Sequence, residues 1–148
     1  MQDLFGRPAA VAHMKGSGDA PELRGTVRFY PRCQGTLVVA QISGLPRDSE
    51  TDFFAFHIHE GGDCGGEGFA DTGGHYDPCG KPHPCHAGDL PPLLSSCGNA
   101  YLAVVTGRFR VADVLGRTVV IHSHPDDFHT QPSGGAGSKI ACGVICRA

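Results

Sequence analysis

Short apolar stretches bounded by Gly, Pro and acidic residues recur along the chain at Ala9 to Met14, Gly25 to Tyr30, Thr36 to Ile42, Phe53 to His59, Ala100 to Val105, Gly107 to Val111, Thr118 to His122 and Ile140 to Ile145. They are too short for helices and carry strand-type residues between turn signals, which predicts eight short strands and an all-β sandwich or barrel. The 22 Gly and 11 Pro agree with many turns rather than long helices. At 148 residues the chain has the size of a single domain (1–148), able to bury a core without metals or disulfides being obligatory.

One predicted strand, Phe54-Ala55-Phe56-His57-Ile58-His59, carries chemistry. Side chains alternate faces along a strand, so Phe54, Phe56 and Ile58 point one way and His57 and His59 the other. Two neutral imidazoles on one face, roughly 6 to 7 Å apart, can grip one ion. Such a pair also suits two solvated residues on a half-exposed strand.

The segment from Gly73 to Leu90 shifts the balance towards metal. It holds His75, His83, His86 and Asp89 and is too rich in Gly and Pro for a helix or central strand. An ion with nitrogen and oxygen ligands would organise such a loop, and zinc suits that donor set best. His122 ends another predicted strand. Together these His residues, on two strands and one loop, point to a two-metal site.

Five spaced motifs then resemble those of copper,zinc superoxide dismutases, in the family's order: His57-Ile58-His59-Glu60, Gly74-His75-Tyr76-Asp77-Pro78, His86-Ala87-Gly88-Asp89-Leu90, Gly116 to His122, and Gly137 to Ile145. The resemblance runs from about Ala9 to Ile145 and is to a bacterial-type member. It implies an eight-stranded Greek-key β-barrel or sandwich, immunoglobulin-like, with long metal-binding loops. It implies copper ligands His57, His59, His75 and His122, and zinc ligands His75, His83, His86 and Asp89, with His75 bridging as an imidazolate that neighbouring divalent charge favours. Asp126 matches the carboxylate that orients one imidazole of each metal. Cys64 and Cys142 match the family's intrasubunit disulfide.

The activity implied is dismutation of superoxide to dioxygen and hydrogen peroxide, with copper cycling and His75 taking up and supplying a proton. Two departures stand out. Lys139 occupies the position where the family usually carries an anion-binding Arg; it keeps the charge but lacks the planar fork, so reduced activity is expected. The segment from His124 to Ser138 is poor in Lys, Arg and Glu, and with a formal net charge of -3 any attraction for an anion must be local. These departures motivate the alternative of a catalytically weak protein that handles copper and zinc. A second rival, a zinc protease of JAMM type suggested by His122-Ser123-His124-Pro125 and Ser133, lacks its required Asp, since Ala136 stands there.

The 7 cysteines cannot all pair within one chain. Cys79 and Cys85 flank His83, with spacing that allows a small disulfide or, less favoured, thiolate ligation; Cys33, Cys97 and Cys146 have no assigned partner. Residues 1–8 read as a short disordered lead without a basic region followed by an apolar stretch, hence no signal peptide or membrane span. The expectation is a cytoplasmic protein, the alternative an exported one whose signal has been removed. Neither nucleic acid nor a membrane is an expected partner. A homodimer is left open, because no apolar run is clearly surplus to a core.

Overall fold

The computed structural model describes residues 4–148. Eight strands, β1 (Ala10–Gly16), β2 (Arg24–Arg32), β3 (Gly35–Ser43), β4 (Phe53–His59), β5 (Asp89–Leu94), β6 (Ala100–Thr106), β7 (Thr118–His122) and β8 (Lys139–Arg147), form one antiparallel sheet in the order β5-β4-β7-β8-β1-β2-β3-β6. Its edges, β5 and β6, lie against one another, so the sheet curls into a nearly closed barrel with Greek-key crossovers. The interior is filled by one face of each strand, with Val27, Phe29, Phe54, Phe56, Ile58, Val119, Ile121 and Ile145 at its centre. The all-β Greek-key expectation holds.

Two elements differ from the sequence reading. Gly107 to Val111 is not a strand: the chain turns there, Phe109 enters the core, its carbonyl accepts the Thr36 hydroxyl at 3.0 Å, and a short helix α1 (Val111–Val114) follows. The alternation came from core filling, not from a pleat. The eighth strand is instead β5, Asp-Leu-Pro-Pro-Leu-Leu, which pairs with β4 through Phe53–Leu94, Phe54–Leu93, Phe56–Leu90 and His57–Asp89, with an irregularity between Phe54 and Phe56. Proline removes ladder donors, and an edge strand with a bulge is where two of them fit.

Residues 1–3 of the expected lead lie outside the described residues. Further along it, Phe5 sets its ring on Tyr30 with centroids 5.9 Å apart, a packing contact that a disordered lead would lack.

Candidate metal centre

β4 and β7 are buried on both faces, and that places the centre. Phe54, Phe56, Ile58, Val119 and Ile121 face the barrel interior. His57, His59 and His122 stand on the outer face, yet are only 0%, 2% and 3% exposed. The cover is the long connection from β4 to β5. Tyr76 N–H donates to the Ile58 carbonyl at 2.8 Å, Ile58 N–H to Gly88 O at 2.9 Å and Glu60 N–H to Gly74 O at 2.9 Å, which sews the loop onto β4 and seats His75 opposite His59.

This arrangement gathers two sets of four donors. One ring nitrogen from each of His57, His59, His75 and His122 lies within 4.8 Å of the others, and the same holds for one donor atom from each of His75, His83, His86 and Asp89. His75 belongs to both sets. Its Nδ1 faces the second, 2.8 Å from Asp89 Oδ1 and 3.2 Å from His86 Nδ1. Its ring centroid lies 4.2 Å from that of His57 and 4.9 Å from that of His59.

The residues fit metal ions on chemical grounds. His57 Nδ1, His75 Nε2 and His83 Nδ1 are buried without a hydrogen-bond partner, a costly condition for polar atoms unless a cation takes their lone pairs. His83 Nδ1 lies 3.0 Å from Asp89 Oδ2 without hydrogen-bond geometry. His59 Nδ1–H donates to Gly73 O at 2.8 Å, which leaves Nε2 with a lone pair, and that atom sits 3.2 Å from His122 Nε2. Converging lone pairs of four imidazoles suit copper, and three imidazoles with one carboxylate suit zinc.

Asp126 lies between the two sets. Its Oδ2 accepts from His57 Nε2 and its Oδ1 from His83 Nε2, both at 2.8 Å, which turns both Nδ1 atoms inward. Gly134, at φ 75°, passes so close that a Cβ there would collide with Asp126 Oδ1. Burial opposes ionisation of Asp126, but the hydrogen bonds from His57, His83 and the Phe128 N–H outweigh it and hold the carboxyl well below its usual range. Desolvation pulls His59 down to about 3 and His122 to about 2, and lowers His57, so these rings are neutral and ready to ligate.

Several groups that the sequence did not mark hold the loop. The Gln131 side chain grips the His83 backbone at both ends, with Oε1 accepting from N–H at 2.9 Å and Nε2 donating to the carbonyl at 2.7 Å. Arg108 Nη1 donates to Pro84 O at 2.8 Å and His86 O at 3.0 Å. Arg117 lies over the Tyr76 ring, 4.2 Å from its centroid. A buried partner at one end and a backbone atom far away in sequence leave no periodic trace.

The Cys64–Cys142 disulfide is present, with Cα atoms 5.8 Å apart, and ties the connection after β4 to β8. The Cys79–Cys85 disulfide is not: both are exposed free thiols, as are Cys33, Cys97 and Cys146. Separate local turns hold them, one closed by Lys81 N–H on the Asp77 carboxylate and the other by Cys85 N–H on Pro82 O. Among the described residues, no cysteine enters the donor set around His83. Lys139 is at the rim of the four-imidazole set, paired across the sheet with His122, and its Nζ donates to Thr72 Oγ1 at 2.7 Å and Gly73 O at 3.1 Å.

Comparison with known proteins bears on this geometry. The family profile described as "Copper/zinc superoxide dismutase (SODC)" matches residues 23–145. "Superoxide dismutase [Cu-Zn] 2" of Aquifex aeolicus is 36% identical over 149 residues, covering 90% of this chain and 85% of that protein. "Superoxide dismutase [Cu-Zn]" of Legionella pneumophila is 34% identical, covering 87% and 82%. Among solved structures, the Cu/Zn superoxide dismutase from Brucella abortus superposes with a TM-score of 0.76 at 26% identity, covering 91% of this chain and 98% of its own. With a bridging imidazole between two four-donor sets, and with this likeness over nearly its whole length, the chain belongs to the copper,zinc superoxide dismutase family.

Proposed function

We propose that His57, His59, His75 and His122 hold copper, that His75, His83, His86 and Asp89 hold zinc, and that the pair dismutates superoxide to dioxygen and hydrogen peroxide. Copper supplies the electron transfer by cycling between two oxidation states, and zinc, which has no redox chemistry, supplies charge and loop order. The observation that carries this reading is His75, whose Nδ1 faces Asp89 and His86 while its buried Nε2 has no partner. With Nδ1 committed to the zinc side, Nε2 is where His75 holds or yields a proton. Asp126 fixes the tautomers of His57 and His83. Lys139 offers the anionic substrate a positive charge beside His59 and His122. A purely metal-handling role has less support, because every copper-side imidazole is in place.

The test is dismutation by protein loaded with both metals, with metal content determined on the same sample. Fast dismutation at equal copper and zinc per chain is expected; both metals bound without dismutation would overturn the reading.

A second copy of the chain is the partner we propose, through the exposed Phe53 and Leu94, cross-strand neighbours on β4 and β5, with exposed Tyr101 on β6. Sedimentation showing monomers at micromolar concentration overturns this. We propose a cytoplasmic location, which suits the exposed thiols of Cys33, Cys79, Cys85, Cys97 and Cys146 and asks that the Cys64–Cys142 bridge persist in a reducing compartment. Its recovery from an exported fraction would contradict that placement.

A further inference from the structure

Lys139 has a partner whose role the family reading does not cover. Its Nζ donates to Thr72 Oγ1 at 2.7 Å and to Gly73 O at 3.1 Å. Gly73 O also accepts from His59 Nδ1–H at 2.8 Å, so the ammonium and a copper-side imidazole meet on one carbonyl. Thr72 is 0% exposed, and its hydroxyl donates to Phe69 O at 2.8 Å. With that proton committed, the Thr72 oxygen presents its lone pairs to Lys139. Three residues before the segment Glu67–Thr72, Cys64 is bridged to Cys142 of β8, itself three residues along the strand from Lys139.

We propose that Thr72 is a positioning residue for the dismutase reaction: it pins the Lys139 ammonium beside His59 and His122, so that one N–H remains for the anionic substrate. An ammonium has three donors, and Thr72 and Gly73 engage two. Lys lacks the rigid fork of Arg and has a flexible stem, so its charge is localised only by such acceptors. A point contact of this kind suits a small anion and gives no two-pronged grip. The inference rests on the reading of Lys139 as the anion-binding group at the copper site.

The experiment compares the copper- and zinc-loaded wild type with Thr72→Val, Thr72→Ser and Lys139→Ala, using azide as the anion probe. Azide affinity is read from the copper(II) absorption band, alongside the dismutation rate and metal content. Thr72→Val keeps the shape and removes the acceptor; it should weaken azide binding by about 3- to 10-fold, the scale of one hydrogen bond. The dismutation rate should fall by a similar factor at unchanged metal content, and Thr72→Ser, which restores the hydroxyl, should recover both. Wild-type azide affinity in Thr72→Val, with affinity reduced in Lys139→Ala, would overturn the role of Thr72 alone. Unchanged affinity in both variants would remove Lys139 from the anion site. Loss of metal in Thr72→Val and Thr72→Ser alike would reassign Thr72 to loop structure and also overturn the proposal.

Discussion

The two halves of the centre stand on different supports. His57, His59 and His122 rise from β4 and β7, strands fixed by ladders on both sides and by Phe54, Phe56, Ile58, Val119 and Ile121 beneath them. His75, His83 and His86 come from a loop with little regular structure, held by Gln131, Arg108 and a few hydrogen bonds to β4. A sheet positions the first set as a consequence of folding. The second set depends on individual polar hooks and, in the loaded protein, on the ion itself. The redox half is therefore the one set by the sheet, and His75 and Asp126 are the side chains that join the two donor sets directly.

Removing a strand-borne ligand separates the halves most sharply. His122→Ala should abolish dismutation while zinc stays bound, because His122 belongs to the four-imidazole set alone and meets the other set only at the shared His75; activity measured beside metal content checks this, and full activity would take His122 out of the copper site. Asp126→Asn comes next. It disturbs the rings of His57 and His83 at once, so copper and zinc affinities should both fall, by about 10- to 100-fold on the scale of a lost carboxylate behind a ligating imidazole. Competition with chelators measures each affinity, and a loss confined to one metal would show that the halves are less coupled than this carboxylate implies.

The same contrast governs what the sequence made legible. The strand-borne half was readable because a period of two sets which side chains share a face, and Phe54 to His59 follows it without interruption. In the other half, His75, His83 and His86 on the loop and Asp89 at the start of β5 stood out by residue type, but their assignment to one ion came from resemblance. β5 escaped detection because Pro91 and Pro92 read as a break, and only the edge position makes them acceptable. Gly107 to Val111 was misread because a buried Phe109 in a turn mimics alternation. Gln131, Arg108 and Thr72 act on partners 48, 22 and 67 residues away, and no local pattern marks such a residue.

Weakening a single hook should touch the loop alone. Arg108→Ala frees the carbonyls of Pro84 and His86, and zinc affinity should fall by about tenfold with copper affinity unchanged, the lower end of what an outer-shell partner contributes. An equal loss of copper would mean that the sheet is not an independent support.

The mildest perturbation is pH, applied to the metal-free protein, and it should act on the strand-borne imidazoles and on Asp89 in different ranges. In the unfolded chain an imidazole titrates near 6.5, whereas in the fold burial holds His59 at about 3 and His122 at about 2, with His57 lowered too. From pH 6.5 down to about 3 the unfolded chain therefore binds more protons than the folded one, and stability falls as pH falls. Above pH 6.5 these rings are neutral in both states and their contribution is fully present. Asp89 behaves as a carboxylate of lowered pKa: burial opposes its charge, but the hydrogen bond from His75 and the charges of His75, His83 and His86 outweigh burial. Its contribution is lost only below its ordinary value of 3.8. Melting temperature measured against pH should accordingly start to drop near pH 6.5 in the wild type, and the drop should shrink in His122→Ala, which lacks one of the buried rings. A melting temperature flat from pH 6.5 to 4 would mean that the strand-borne imidazoles are open to water before metal binds, and that the sheet alone does not prepare the copper half.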